Sequence, residues 1–304
     1  MDNHASNTAA AKLQFGAAVT PHNTAFLDEL NRSARALEAF RFINPKLATT
    51  IRALQRTARL IARPLRVAVI GEFNSGKSTL ANLLAGIDSL PTAAVSNTRI
   101  PTIIRFADIP EVVAVEGNGA RHNLTADTDL TQFRLRHVEI GLPITNLRTT
   151  QFIDAATALD RGSTTSVAVL YSHHPDIVIW CTAANQAWKA TELETWTALP
   201  QRLRKHGLLV ATHADLLPSA AARATVRERL QHEAGPYFSG IVMIGKPRRT
   251  SLASASTASD QWQSDAKAEL FKTLAAHLSG IAEFRLARAR RMVARLTSRA
   301  LDQL

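Results

Sequence analysis

Apolar positions first fall at helical spacing, with Phe26, Leu30, Ala34 and Leu37 on one face of a segment that Asn44-Pro45 interrupts. Proline disfavours helical geometry in the residue before it, so a second helix is expected only beyond that point. Leu47, Ile51, Leu54, Ala58 and Ile61 alternate in steps of four and three, a narrow apolar seam with arginines opposite, suited to packing on other helices. From about residue 65 to 245, short β-rich runs alternate with helical ones, which predicts an α/β fold on a mostly parallel sheet. Strands are expected at 65–70, 102–106, 112–116, 137–141, 149–153, 177–181, 207–211 and 241–244, with helices at Glu192–Lys205 and Ala221–Glu233. Gly117-Asn118-Gly119 inside Val112–Leu124 reads as a hairpin turn. The last pattern, Asp265 to Leu304, places Leu270, Leu274, Leu278 and Ile281, then Ala289, Val293, Leu296 and Ala300, at helical spacing. Gly280 is its candidate kink or break.

These patterns divide the chain. Residues 1–22, polar and without a clear period, are expected to be a disordered tail. A helical segment spans 23–63, an α/β domain 64–250, a Ser/Ala/Thr-rich linker 251–264, and a C-terminal helix 265–304 that packs with the N-terminal helices as a small bundle.

Composition adds charge and compartment to this picture. The 304 residues are 46% apolar and include one cysteine, Cys181, which excludes an internal disulfide framework and fits a reducing compartment. No apolar run approaches the roughly 18 residues of a spanning helix, and the N-terminus lacks the apolar core of a secretory signal. A cytoplasmic location is expected. The net charge of +11 sits in the flanks: nine basic groups oppose three acids between residues 24 and 66, and six oppose two between 281 and 304. Such arms can draw a protein to the anionic inner face of a membrane, or can simply solvate the outer face of a bundle. No aromatic-interleaved basic motif points to nucleic acid.

Between the first expected strand and the helical run Leu80–Leu84 lies Gly71-Glu72-Phe73-Asn74-Ser75-Gly76-Lys77-Ser78-Thr79. Gly71, Gly76, Lys77 and Ser78 meet the spacing G-x-x-x-x-G-K-[S/T] in its required setting, strand before and helix after. Backbone N–H groups from Gly71 through Asn74, Ser75, Gly76, Lys77, Ser78 and Thr79 would converge on phosphates. Lys77 would reach the outer ones, and the Ser78 hydroxyl would sit where Mg²⁺ needs an oxygen ligand.

A nucleotide switch also needs a γ-phosphate sensor, an acid near the metal and a base reader. Thr98, in Asn97-Thr98-Arg99-Ile100-Pro101 ahead of a strand, is either a member of the Mg²⁺ shell that positions water or an ordinary loop threonine. Asp154 ends the apolar strand Phe152-Ile153-Asp154 and is either the acid facing Mg²⁺ through water or a helix or turn cap; the phosphate-loop motif upstream favours the first. Thr212-His213-Ala214-Asp215 follows the strand Leu208–Ala211. Asp215 either accepts the guanine N1 and N2 protons, a geometry adenine cannot satisfy, or caps a turn.

Together these residues resemble the dynamin superfamily of large GTPases, especially bacterial dynamin-like proteins. GEFNSGKSTLANLLAG is similar to that family's first motif, LPTAAVSNTRIPTIIRF to its switch I, and Thr212-His213-Ala214-Asp215 to its guanine-specificity motif. The resemblance covers residues 45–245 well and implies a phosphate-loop GTPase domain flanked by helices, with Mg²⁺ as cofactor and GTP or GDP as ligand. It implies catalytic roles for Asn74, Lys77 and Thr98, nucleotide contacts from Thr212, His213 and Asp215, and metal contacts from Ser78, Thr98 and Asp154. It further implies pairing of two nucleotide-bound faces, as a homodimer or heterodimer. Two departures stand out. Asp154-Ala155-Ala156-Thr157 replaces the D-T-P-G of switch II, and His213 replaces a lysine whose stem packs along the base. The first keeps the acid but removes a flexible glycine, which opens the alternative of a hydrolysis-poor, GTP-binding regulatory partner of a full-length dynamin-like protein. The expectation is a short form, without a long stalk or a membrane-inserting paddle. The last base-contacting loop is expected near Ile244-Gly245-Lys246.

Overall fold

Strand β1 (Leu65–Gly71) alternates its side chains between two buried faces: Leu65, Val67 and Val69 belong to one apolar cluster, Ala68 and Ile70 to another. Strands β7 (Ile177–Ala183) and β8 (Leu208–Thr212) do the same, as strands covered on both sides must. The computed structural model describes residues 21–40, 47–87, 100–125, 128–155, 173–245 and 258–301.

The remaining strands are β2 (Thr102–Phe106), β3 (Glu111–Glu116), β4 (Arg121–Asn123), β5 (Leu135–Leu142), β6 (Thr150–Asp154) and β9 (Gly240–Met243). The sheet order is β4-β3-β5-β2-β6-β1-β7-β8-β9. Five of the eight pairings are parallel; β2 runs antiparallel to β6, and β3 antiparallel to both β4 and β5. The β6-β1-β7-β8-β9 block, which ends at the β9 edge, is parallel throughout. Its carboxyl ends gather Gly71, Asp154, Ala183 and Thr212, the edge where open α/β sheets bind ligands.

Helices α1 (Pro21–Ala39) and α2 (Leu47–Ala62) pack against each other and against the second half of α7 (Ala258–Leu301). Phe26, Leu30, Ala34, Leu54, Ala58 and Ala289 are buried among them. The apolar seams read from both flanks meet in this bundle. The first half of α7 lies on the sheet instead, burying Leu270, Phe271, Leu274 and Leu278 beside α3 (Lys77–Ala85). On the other face lie α4 (Ala190–Ala198), α5 (Gln201–Arg204) and α6 (Ala220–Glu233), which contribute Trp196, Leu203 and Leu230.

Several boundaries differ from the sequence reading. The helix expected over 192–205 is two helices, because Pro200 holds Leu199 at ψ 146, outside helical geometry. Helix α7 begins at Ala258, inside the stretch read as a linker, and α1 begins at Pro21. Gly280 does not break α7: a Cβ there would meet nothing within 4 Å. It costs helix propensity, about 1 kcal/mol relative to alanine, within a helix that continues through it.

Candidate functional site

The loop after β1 is shaped by what lies beneath it. Gly71 has φ +149, and a Cβ there would sit 2.1 Å from the Cys181 carbonyl oxygen, so only glycine lets the loop cross β7 this closely. Asn74 (φ 59) and Gly76 (φ 85) adopt left-handed geometry, and Gly76 caps the start of α3. A glycine-bounded turn that leads into a helix N-terminus is an arrangement that receives anions. Lys77 is buried and folds back over the loop, where its Nζ donates to the Glu72 carbonyl at 2.5 Å. Ser78 and Thr79 are exposed on the first turn.

Two side chains hold the loop from below. The Cys181 thiol donates to the Ser75 carbonyl at 2.8 Å, and the Thr212 hydroxyl donates to the same oxygen at 2.6 Å. Burial pushes the Cys181 thiol up to about 12, so it stays protonated and keeps its donor. The Thr212 hydroxyl oxygen also lies 2.8 Å from His213 Nδ1, which fits a tautomer with the proton on Nδ1. Thr212 therefore packs behind the phosphate loop rather than on an open face.

Asp154, at the carboxyl end of β6, is buried and accepts a hydrogen bond from the Ser78 side chain, yet its Oδ1 has no hydrogen-bond partner among the described residues. Burial raises its pKa, opposed by Ser78 and by the nearby Lys77 ammonium. A buried carboxylate oxygen without a partner is costly unless a cation arrives. Its neighbour is a hydroxyl, and an oxygen-only donor set of this kind suits a hard divalent ion.

On the far side of the loop, His213 (φ 55) is half-buried and leads into the turn Ala214–Leu216. A Cβ on Gly76 would come within 3.3 Å of its Cε1. Asp215 is exposed, and Gly245 passes so near that a Cβ there would lie 2.9 Å from the Asp215 Cβ and 3.0 Å from its Oδ1. The segment expected to supply the last base-contacting loop thus abuts Asp215, as far as the described residues reach. Thr98, Thr157 and Lys246 lie outside the described residues.

A cleft of about 220 Å³ opens between the loop, the end of β7 and His213. Sequence reasoning missed its wall. The Glu72 carboxylate accepts from Lys189 Nζ at 2.8 Å and from the Thr191 hydroxyl at 2.7 Å, joining the loop to the N-terminus of α4. Burial alone would raise the Glu72 pKa, but these two donors outweigh it and lower it. Glu192, buried beneath, accepts from Trp180 Nε1, the Thr182 hydroxyl and the Lys189 backbone N–H, each at 3.0 Å. Glu72 occupies a free position of the motif, so no spacing rule singles it out.

Comparison with known proteins agrees with this fold. Residues 67–139 match the model of the dynamin family. The isoniazid-induced protein IniC of Mycobacterium tuberculosis (strain ATCC 25618 / H37Rv) is 44% identical over 71 residues, 23% of this chain and 14% of that protein. Dynamin-like protein 2 of Campylobacter jejuni subsp. jejuni (serotype O:23/36, strain 81-176) is 26% identical over 189 residues, 59% of this chain and 30% of that one. Two solved chains, both from an oligomerised bacterial dynamin pair described as sensing and tethering membranes at long range, share the fold. Their TM-scores are 0.60 and 0.54, at 15% and 18% identity. They cover 92% and 78% of this chain, which spans 56% and 39% of theirs.

Proposed function

We propose that the chain is a dynamin-superfamily protein that binds GTP at the phosphate loop, hydrolyses it to GDP and phosphate, and uses nucleotide state to control its association. The observation that carries the reading is the buried Asp154, its Oδ1 unpartnered among the described residues, beside Ser78 at the mouth of a loop whose N–H groups and Lys77 suit phosphates. Ser78 and Asp154 fit Mg²⁺, with Thr98 as a further oxygen ligand. When bound, the ion would draw negative charge from the phosphate oxygens.

The chain's own groups divide the remaining work. Backbone N–H groups from Asn74 to Thr79 orient the phosphates, and Lys77 leaves the Glu72 carbonyl to stabilise charge on the outer ones. Asn74, exposed and left-handed, reaches toward the β–γ bridge. Asp215 reads guanine, and His213 stacks where the family carries a lysine stem. Phe73 and Leu216 flank the cleft with 65% and 64% of their surfaces exposed. That apolar pair supports pairing across the nucleotide face, with a second copy or a related chain.

One observation favours a second reading, a hydrolysis-poor regulatory partner. The backbone N–H of Ala155, directly after the metal-facing acid, donates to the Val69 carbonyl at 3.2 Å, so the strand pairing extends past Asp154. Backbone tied to β1 is not available to swing toward a γ-phosphate. Single-turnover hydrolysis at rising protein concentration separates the two readings. Pairing-dependent catalysis gives a rate that climbs more than linearly and falls with Thr98→Ala. Tight GTP binding with no turnover at any concentration selects the second reading, and preference for ATP in competition rejects both.

A further inference from the structure

Far from the phosphate loop, a groove of about 810 Å³ runs between α2, α7 and the α5 corner of the nucleotide-binding domain. Leu60, Phe284 and Met292 open into it with 43%, 59% and 42% of their surfaces exposed, among the largest exposed apolar side chains of the described residues. On α7 the lining positions His277, Ile281, Phe284, Arg288 and Met292 follow steps of four, three, four and four. That is the spacing of a helix-packing seam, and at 1.5 Å per residue it runs for about 22 Å. The rim is basic: Arg202, Lys205 and Arg288 are exposed along it. The single acid in the lining, Asp176, is already engaged by Arg63 and Arg285.

We propose that this groove docks an amphipathic helix of a partner polypeptide, with its apolar seam on Leu60, Phe284 and Met292 and with acidic side chains flanking that seam. Charge complementarity selects the acidic flanks. The open, elongated shape along two helices selects a helix, which lays residues at i, i+3, i+4 and i+7 into such a furrow. A second copy meeting face to face would set Arg202, Lys205 and Arg288 against their own images, which disfavours a symmetric pairing here.

The test uses the full chain and a fluorescein-labelled peptide of about three heptads, with leucine at the seam positions and glutamate beside them. Its control is the same peptide with lysine in place of glutamate. Fluorescence anisotropy should show saturable binding of the acidic peptide, weakened about tenfold or more by Phe284→Asp and by Arg288→Glu, and little binding of the basic one. Both substituted residues are exposed, so circular dichroism should show the fold unchanged. Absence of acidic-peptide binding, equal binding of the two peptides, or an affinity indifferent to both substitutions overturns the proposal. Phosphatidylglycerol vesicles and sedimentation of the chain alone serve as the other arms. Vesicle binding or self-association lost in Phe284→Asp, without peptide binding, assigns the groove to a membrane or a second copy and also overturns it.

Discussion

At Gly71 one added carbon would lie 2.1 Å from a backbone oxygen that cannot retreat without moving β7. Gly71→Ala is therefore expected to cost on the order of 3 kcal/mol, combining overpacking with a disfavoured φ. Gly86 also has positive φ but meets nothing within 4 Å, so Gly86→Ala should cost only about 1 kcal/mol. Urea denaturation of the two variants checks the contrast; equal losses would mean that the β7 contact does not matter. His173 offers a second test. It is buried, and its pKa is lowered to about 4 by burial, then by His137, Arg136 and Arg66. Unfolded, the ring titrates near 6.5, so from pH 6.5 down to about 4 the unfolded chain takes up a proton that the folded chain refuses. Stability should fall across that window and level off below it, and His173→Gln should flatten that part of the profile. Identical profiles for the two proteins would contradict the assignment. Lys77 and Ser78, proposed ligands that stand at fixed positions of a local spacing, were legible in the sequence. Cys181 and Glu72 were not, because their importance arises only when β7 and α4 are brought against the loop from more than a hundred residues away.

Helices and strands meet at Asp176. Its carboxylate accepts a two-pronged bond from Arg63 at 3.0 Å, another from Arg285, and the backbone N–H of Arg66 at 2.9 Å. The ends of α2 and β1, the segment just before β7, and α7 are thereby fastened together. Asp176→Ala would leave two half-buried guanidinium groups facing one another, with an expected loss of about 3 kcal/mol in thermal or chemical unfolding. A loss below about 1 kcal/mol would rank the cluster with ordinary surface pairs. Periodicity revealed the strands and the apolar faces of α1, α2 and α7, because burial of one face leaves its mark on the sequence. It did not reveal that α7 serves two partners. Leu270 and Leu274 share its spacing with Ala289 and Val293, yet the first pair covers the sheet and the second closes the bundle. Nor did it give the antiparallel β2–β6 pairing, since strand direction is set by connections and not by side-chain alternation.

Taken whole, the molecule gathers the glycine-bounded loop, the buried Asp154 and the turn at Asp215 along the carboxyl edge of the sheet, and carries a basic helical bundle built from α1, α2 and the second half of α7. The chain spans 14% and 30% of the two curated relatives compared with it, so the activity belongs to the proposal and not to the likeness. Among the described residues no helix is long and apolar enough to cross a membrane. What the proposal needs first is nucleotide at the loop. Isothermal titration calorimetry of GTP with Mg²⁺ into wild-type and Lys77→Ala protein measures it directly. The wild type should bind saturably, and Lys77→Ala should lose about 2 kcal/mol or more of binding free energy, roughly a thirtyfold weakening, through loss of a buried charge-assisted contact. Equal affinity in the two proteins, or no heat with either, would contradict the account.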